Sequence, residues 1–323
     1  MEPNAQNILD GDRRALARAI TLVESTRSDH REKARSLLQT LSQANRQAMR
    51  IGLSGTPGVG KSTFTEVFGM MLIDLGLKVA VLAVDPSSTI SGGSILGDKT
   101  RMERLSRQKN AFIRPSPSQT ALGGVTRRTR ESIALCEAAN FDVVLVETVG
   151  VGQSETMVAD MTDIFLLLLA PAGGDELQGV KRGIMEIADI ILVNKADGDL
   201  KARAARTCAD YSGALQLMRK RPQDPDGFPK AMMISSAENK NLDTAWAEIT
   251  TLFEWRKKTG VFADLRKKQA LIWFQTEIEN GLLARLKDNP ELATVWKSFE
   301  TSVLSGKIPP DIAAQQVLAL FQK

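Results

Sequence analysis
Histidine and cysteine are nearly missing from this chain, whose 323 residues hold one of the first and two of the second. A structural zinc site takes four nitrogen or sulfur ligands, so almost nothing is present to build one. His30 stands beside Asp29 and Arg31 with no second imidazole to share a metal, which places it at the surface. Cys136 and Cys208 lie far apart with no C-x-x-C, a pattern of bystander thiols in a reducing compartment. A marked excess of one charge is also lacking: 42 Lys and Arg face 38 Asp and Glu, so nucleic acid is not expected as a partner. The longest apolar run, Ile164 to Ala172, is well short of the ~20 residues that cross a bilayer and carries Pro171. It is expected to be a buried strand, and no membrane association follows. The start, Met1 to Asp12, is polar and acidic where an export signal would be basic and then apolar, so a cytoplasmic protein is expected.

What is present begins with residues 55 to 62: Gly55, Thr56, Pro57, Gly58, Val59, Gly60, Lys61, Ser62. They match the phosphate-binding P-loop, G-x-x-x-x-G-K-[ST], at every position. An apolar run (Ile51, Gly52, Leu53) enters the loop and an amphipathic helical pattern (Phe64, Val67, Phe68, Met71, Leu72, Leu75) leaves it. The glycines let backbone N–H groups close on phosphate oxygens, and the helix that starts there turns its positive dipole end toward the same anion. Lys61 adds a charge that can reach the outer phosphates, and Ser62, followed by Thr63, offers a hydroxyl to Mg²⁺.

From residue 50 to 240, short apolar runs alternate with helical stretches, the signature of an α/β fold with a buried, mostly parallel sheet. The runs are Ile51 to Leu53, Val79 to Val84, Phe112 to Ile113, Val143 to Val146, Ile164 to Leu169, Ile190 to Val193 and Met232 to Ile234. Ligands in such sheets bind beyond the carboxyl ends of the strands, which directs attention to the polar residues there. Asp85 ends the second run and suits Mg²⁺ or the attacking water, although an ordinary turn would need no such role. Asp98, in the Gly-rich segment that follows, has only its loop position behind it. The fourth run ends in Glu147, Thr148, Val149, Gly150, where most GTPases have Asp-x-x-Gly. Val151 stands where Ras-like proteins carry a water-orienting glutamine, and nearby Gln153 is out of register, so slow intrinsic hydrolysis is expected.

The sixth run is followed at once by Asn194, Lys195, Ala196, Asp197, the N-K-x-D guanine signature. A carboxylate at Asp197 accepts from both N1–H and the N2 amine of guanine, whereas adenine presents an acceptor at N1 and nothing at C2. Leaving it unpaired is costly, so the site rejects the wrong base. Asn194 would tie its loop to the P-loop, the Lys195 stem would cover the base, and Ser235, Ser236 and Ala237 would offer a backbone N–H to guanine O6.

Elsewhere the residues say less. The segment 173–181, with Asp175, Glu176, Gln178 and Lys181, reads equally as a mobile loop at the ligand edge or as a helix start with acidic residues in its first turn. Residues 8 to 47 suggest two helices with His30 between them. Arg127, Arg128 and Arg130, like Arg219, Lys220 and Arg221, are expected on solvated faces. All four tryptophans follow residue 241, where a long helix from near Val261 carries an apolar stripe of Leu271, Phe274, Ile278, Leu282 and Leu286 that needs a partner surface.

The P-loop, Val-Asp-Pro-Ser-Ser at 84 to 88, Glu-Thr-Val-Gly-Val-Gly-Gln-Ser at 147 to 154 and Asn-Lys-Ala-Asp together resemble the MeaB/ArgK group of G proteins, which includes the human methylmalonic aciduria type A protein. The resemblance covers nearly the whole chain. It implies a SIMIBI-class GTPase that binds GTP or GDP with Mg²⁺ near Ser62, Asp85 and Glu147. It also implies a chaperone that gates adenosylcobalamin loading of methylmalonyl-CoA mutase and protects that enzyme from inactivation. A homodimer joined through the C-terminal arm is implied, as is a switch loop at Asp175, Glu176, Gln178 and Lys181 that reports nucleotide state to the client. The organisation expected is an N-terminal helical extension (1–47), a G domain (48–257) and a C-terminal helical arm (258–323). Three alternatives stand beside it: a metabolic P-loop kinase, a nickel-delivery GTPase that would need clustered histidines and cysteines, and a structural dimer with a relict nucleotide site. An older label for related sequences, an arginine or ornithine transport kinase, finds no support in the residues.

Overall fold
The computed structural model describes residues 3–84, 102–115, 122–148, 154–171, 182–218, 221, 224–288 and 290–321. Seven strands make one sheet: β1 (Met49–Ser54), β2 (Val79–Val84), β3 (Ala111–Pro115), β4 (Val143–Thr148), β5 (Ile164–Leu169), β6 (Ile190–Val193) and β7 (Lys230–Met233). Their order is β3-β2-β4-β1-β5-β6-β7, and every pairing is parallel. Every residue of β2, β4 and β5 is buried, which is why their sequences are continuous apolar runs rather than alternating ones. Each of the seven runs contributes to a strand, although the last strand, Lys230–Met233, leaves Ile234 outside it. Several extend further into polar residues, such as Thr148, which also donates to Ser54 Oγ, and Lys230, which pairs with Glu248.

Helices cover the sheet. The N-terminal ones are α1 (Ala5–Leu9), α2 (Arg13–Glu24) and α3 (Ser28–Ser42), followed by α4 (Lys61–Asp74), α5 (Glu103–Ser106), α6 (Leu122–Ala138), α7 (Ser154–Ala159) and α8 (Arg182–Ile187). Next come α9 (Lys201–Leu217) and α10 (Leu242–Lys258). Phe64, Phe68 and Leu72 of α4 and Leu242, Ile249 and Leu252 of α10 meet Ile51, Leu53, Val79, Val81, Leu145 and Leu166 in one core. The N-terminal segment forms three helices where the periodicity suggested two. Gly11 at φ +81 breaks the chain after α1, and the Asp12 carboxylate then caps α2 by accepting from Arg14 N at 2.7 Å. His30 lies inside the first turn of α3, with Nδ1 2.9 Å from Ser25 Oγ, not between helices.

At the amino edge of the sheet the interior holds a charge network. Arg50 donates to Glu137 at 2.9 and 2.7 Å, and Arg266 donates to Asp163 at 2.5 and 2.7 Å and to Glu137 at 3.1 Å. Arg256 donates to Asp189 at 2.7 Å and to Asp224 at 2.6 Å, and Arg221 reaches both carboxylates. Arg221 is therefore ion-paired, not solvated as the sequence suggested. Four guanidiniums meet four carboxylates, the balance that burial of charge demands. Burial works against the charge on Arg256, and Asp189 with Asp224 more than offsets it, holding the pKa above its ordinary value.

Residues Met1–Arg266 form one compact unit and Lys267–Lys323 a second. The second contains most of α11 (Val261–Asp288), with α12 (Pro290–Leu304) and α13 (Pro310–Phe321). Within it, a cavity of about 600 Å³ is lined by Leu283, Trp296, Phe299, Val303, Ala313 and Val317. Leu271, Phe274, Ile278 and Leu282 on α11 are each about half exposed. The side chain of Leu286 lies outside the described residues. No helix among the described residues is long and apolar enough to cross a membrane.

Candidate nucleotide site
The site is assembled at the carboxyl ends of β1, β4, β6 and β7, where a parallel sheet opens its crevice. After Ser54 the chain turns through the loop and enters α4 at Lys61. Gly60 sits at φ +93 before that helix, and no side chain caps the N–H groups of its first turn. A Cβ on Gly60 would lie 2.7 Å from Asn194 Nδ2, and one on Gly55 would lie 2.3 Å from the Leu168 carbonyl oxygen. Both positions therefore exclude side chains, and the uncapped amides point a helix dipole into the loop.

Lys61 Nζ folds back over this loop, donating to Gly55 O at 2.6 Å and Thr56 O at 3.1 Å. Burial pulls its pKa down, with the negative charges of Glu147 and Glu155 opposing. A phosphate oxyanion at this place would supply the opposite charge that the two carbonyl dipoles only partly provide. Glu147, buried at the end of β4, accepts from Thr65 Oγ1 at 2.9 Å and Ser62 Oγ at 3.5 Å. One methylene longer than the customary aspartate, it reaches across to α4. Thr148 next to it donates to Ser54 Oγ at 3.2 Å, tying the ends of β4 and β1 together. Thr56, Pro57, Gly58 and Thr63 are exposed, and Val59 is buried beneath the loop.

The base end is built on Asn194, which is only 2% exposed. Its Nδ2 donates to Val59 O at 2.9 Å, while its Oδ1 accepts from Ser236 N at 3.0 Å and Ser236 Oγ at 2.9 Å. Lys195 takes φ +57 and sends Nζ to Gly58 O at 2.7 Å. Asp197 accepts from Ser235 Oγ, and Ser235 Oγ in turn accepts from Glu238 N at 3.1 Å. Ala237 is exposed beside them. The loops of β1, β6 and β7 are thus held as one body through amide and hydroxyl groups. Asp85, Asp98, Gly150, Val151, Gln153, Asp175, Glu176, Gln178 and Lys181 lie outside the described residues.

Residues 16–291 match the family described as Methylmalonyl Co-A mutase-associated GTPase MeaB. The chain belongs to the MeaB family of GTPases. A Caulobacter vibrioides protein is 52% identical over 97% of this chain and 95% of its own length. The methylmalonic aciduria type A homolog, mitochondrial, of Mus musculus is 47% identical over 98% of this chain and 78% of its own. Among solved structures, one titled LAO/AO transport system kinase superposes with a TM-score of 0.76 at 36% identity, covering 99% of this chain and 96% of that one. The fold is that of a P-loop GTPase, and guanine-nucleotide binding follows from the family.

In this MeaB-family chain the sequence pointed to Ser62 and Glu147 but passed over Thr65, Thr148 and Glu155. Thr65 carried a usable signal: it lies three residues after Ser62, so both hydroxyls share one helix face toward β4. Thr148 was quoted only as part of a motif, and the partner of its hydroxyl, Ser54, is distant in sequence. The donor set also fits the metal the family implies. Ser62 and Glu147 stand side by side and offer hard oxygen donors, the ligand type that Mg²⁺ takes. Among the described residues no group of three His, Cys, Asp or Glu could hold a metal unaided. Mg²⁺ characteristically takes the rest of its shell from phosphates and water.

Proposed function
We propose that this protein binds GTP with Mg²⁺, hydrolyses it slowly when alone, and acts as a chaperone for an adenosylcobalamin-dependent methylmalonyl-CoA mutase. In that role it gates cofactor loading and protects the mutase from inactivation, in the cytoplasm. The observation that carries this is the family match over residues 16–291, whose description joins a GTPase to methylmalonyl-CoA mutase. The site geometry supports the nucleotide half. Lys61 and the first-turn amides of α4 would hold the phosphates, Asp197 would accept from the guanine edge, and Ser62 with Glu147 and Asp85 would hold Mg²⁺. Mg²⁺, when bound, would neutralise charge developing on the transferred phosphoryl group. Catalysis would otherwise rest on positioning by Lys61, with Asp98 and Gly150 near the γ-phosphate. Val151, in place of a water-orienting glutamine, favours slow turnover until a partner completes the site.

The apolar stripe of α11 supports dimerisation through a helical arm over 258–323 beyond the G domain (48–257) and the N-terminal extension (1–47). Large apolar residues half exposed along one helix are what a self-complementary interface covers. Residues 173–181, including Asp175, Glu176, Gln178 and Lys181, would carry the nucleotide state to the client.

The test is GTP hydrolysis by the full chain with and without purified B12-dependent mutases, following phosphate release. Stimulation by a methylmalonyl-CoA mutase and not by an unrelated B12 enzyme is the expected result. Hydrolysis unchanged by any mutase would overturn the chaperone assignment. Loss of GTP without phosphate release, dependent on a small acceptor, would replace it with a kinase.

A further inference from the structure
Arg266 stands in the first turns of α11, a helix that runs on through Lys267 into the second compact unit, yet its own side chain reaches into the first. The guanidinium, 13% exposed, donates to both oxygens of Asp163, to Glu137 Oε1 and, at 2.9 Å, to Ala48 O. These partners belong to three elements: Ala48 leads into β1, Asp163 leads into β5, and Glu137 lies in the last turn of α6. The ring of Phe262, one helical turn earlier, lies 5.0 Å from the guanidinium carbon and packs edge-on against Phe253 of α10. Arg266 is therefore fixed by an aromatic face as well as by its hydrogen bonds.

Asp163 is the joint between the strands that carry the nucleotide loops. Its carboxylate accepts from Arg50 N at 2.8 Å, its own N–H donates to Arg50 O at 2.8 Å, and its carbonyl accepts from Arg256 at 2.6 Å. From this joint β1 and β5 run side by side for six residues each, roughly 20 Å at the usual rise of a strand. At their far ends the Leu168 carbonyl leaves no room for a Cβ on Gly55, and Leu169 O accepts from Asn194 N at 2.8 Å. Both the P-loop and the base loop are thus set against β5, whose amino end Arg266 holds. The Asp163 side chain is 1% exposed, and a carboxylate buried so deeply keeps its charge only while donors and cations surround it. Without Arg266 it must move toward water or take a proton. A close-packed interior transmits such a shift along the strand to Leu168.

We propose that Arg266 is a positioning residue for the guanine nucleotide: from the base of α11 it fixes the amino ends of β1 and β5, and so the spacing between the P-loop and the base loop at their other ends. It rests on the guanine-nucleotide binding that the family gives. Arg266 touches no nucleotide and acts through Asp163. Its place on α11 makes the first turns of that helix a working part of the nucleotide unit. Because coupling between two places is reciprocal, a bound nucleotide should in turn tighten the hold on the base of α11.

The experiment uses the full chain and a fluorescent GDP analogue, at a temperature where every variant compared is folded. Arg266→Lys keeps the charge but cannot grip Asp163, Glu137 and Ala48 at once. Leu16→Ala, which truncates a buried side chain of α2, controls for lost stability alone. GDP dissociation should be about tenfold faster or more in Arg266→Lys and within about twofold of the wild type in Leu16→Ala. Hydrogen exchange on the wild type adds a second readout: GDP should protect the first turns of α11 more than it protects α2, and Arg266→Lys should lose that excess. Dissociation from Arg266→Lys within about twofold of the wild type, or an equal acceleration in Leu16→Ala, would overturn the proposal. So would GDP protection of α11 no greater than that of α2, a comparison that stands on the wild type even if Arg266→Lys does not fold. A wild type that retains no GDP would remove the nucleotide reading, and this assignment with it.

Discussion

The amide of Asn194 joins the two halves of the nucleotide site, and its removal is the most informative single change. Asn194→Ala deletes three buried hydrogen bonds, to Val59 O, Ser236 N and Ser236 Oγ. At about 1 kcal/mol for each neutral bond, the loss is about 3 kcal/mol, since the orphaned partners remain buried. For a unit the size of Met1–Arg266 that lowers the thermal midpoint by roughly 6–12 °C. Asn194→Asp separates the two directions of the amide. It keeps both bonds accepted from Ser236 but loses the donor to Val59 O and sets a carboxylate beside the phosphate loop. The nucleotide-free midpoint should therefore fall at least as far as in the alanine variant, because a buried carboxylate oxygen faces the Val59 carbonyl, and affinity for GDP should fall more, because the added charge repels the diphosphate. Differential scanning fluorimetry and fluorescent-nucleotide titration measure the two quantities on the same samples. If Asn194→Ala shifts the midpoint by less than about 2 °C and leaves GDP affinity intact, the amide does not join the loops and the reasoning fails.

Asp197→Asn presents an amide where guanine needs a second acceptor, so GDP binding should weaken by about 2 kcal/mol or more and the preference over ADP should narrow. A competition titration with an unchanged GDP/ADP ratio would remove the guanine assignment. Thr65→Val leaves Glu147 Oε2 without its 2.9 Å donor. Nucleotide-free stability should drop by about 1–2 kcal/mol, and the Mg²⁺ concentration for half-maximal hydrolysis should rise; a Mg²⁺ dependence that stays put would separate Glu147 from the metal. Arg266→Leu strands the Asp163 carboxylate with one fewer cation and should cost about 3 kcal/mol, read as a lowered denaturation midpoint.

Much of this site is legible in the sequence because its chemistry is local. Gly55 through Ser62 carry their own backbone requirement, and Asn194 to Asp197 place an amide and a carboxylate at one strand end, so each motif specifies its function within a few residues. The parallel sheet is equally legible, since strands buried on both faces leave uninterrupted apolar runs such as Ile164 to Leu169. What escaped were residues whose role depends on the other side of a packing interface. Thr65 looks like any helix threonine until β4 brings Glu147 to it.

The arginines of α6 show the same limit more sharply, and show why it has physical content. Arg-Arg-x-Arg after a glycine pair reads as a solvated helix start, because a guanidinium left to itself prefers water. Arg128 is nevertheless covered because α2 and α3 need the rest of α6 for their own apolar faces: Leu16, Ile20, Val23 and Leu37 are buried along with Ile133 and Cys136. Apolar burial at about 25 cal/mol per Å² outweighs the desolvation of one flexible cation. At the amino edge of the sheet, Arg50, Arg221, Arg256 and Arg266 are instead covered together with Glu137, Asp163, Asp189 and Asp224. Removing Arg256 should therefore destabilise the protein, because Asp189 and Asp224 lose donors at 2.7 and 2.6 Å; a denaturation midpoint unchanged in Arg256→Leu would show that this network contributes nothing to stability.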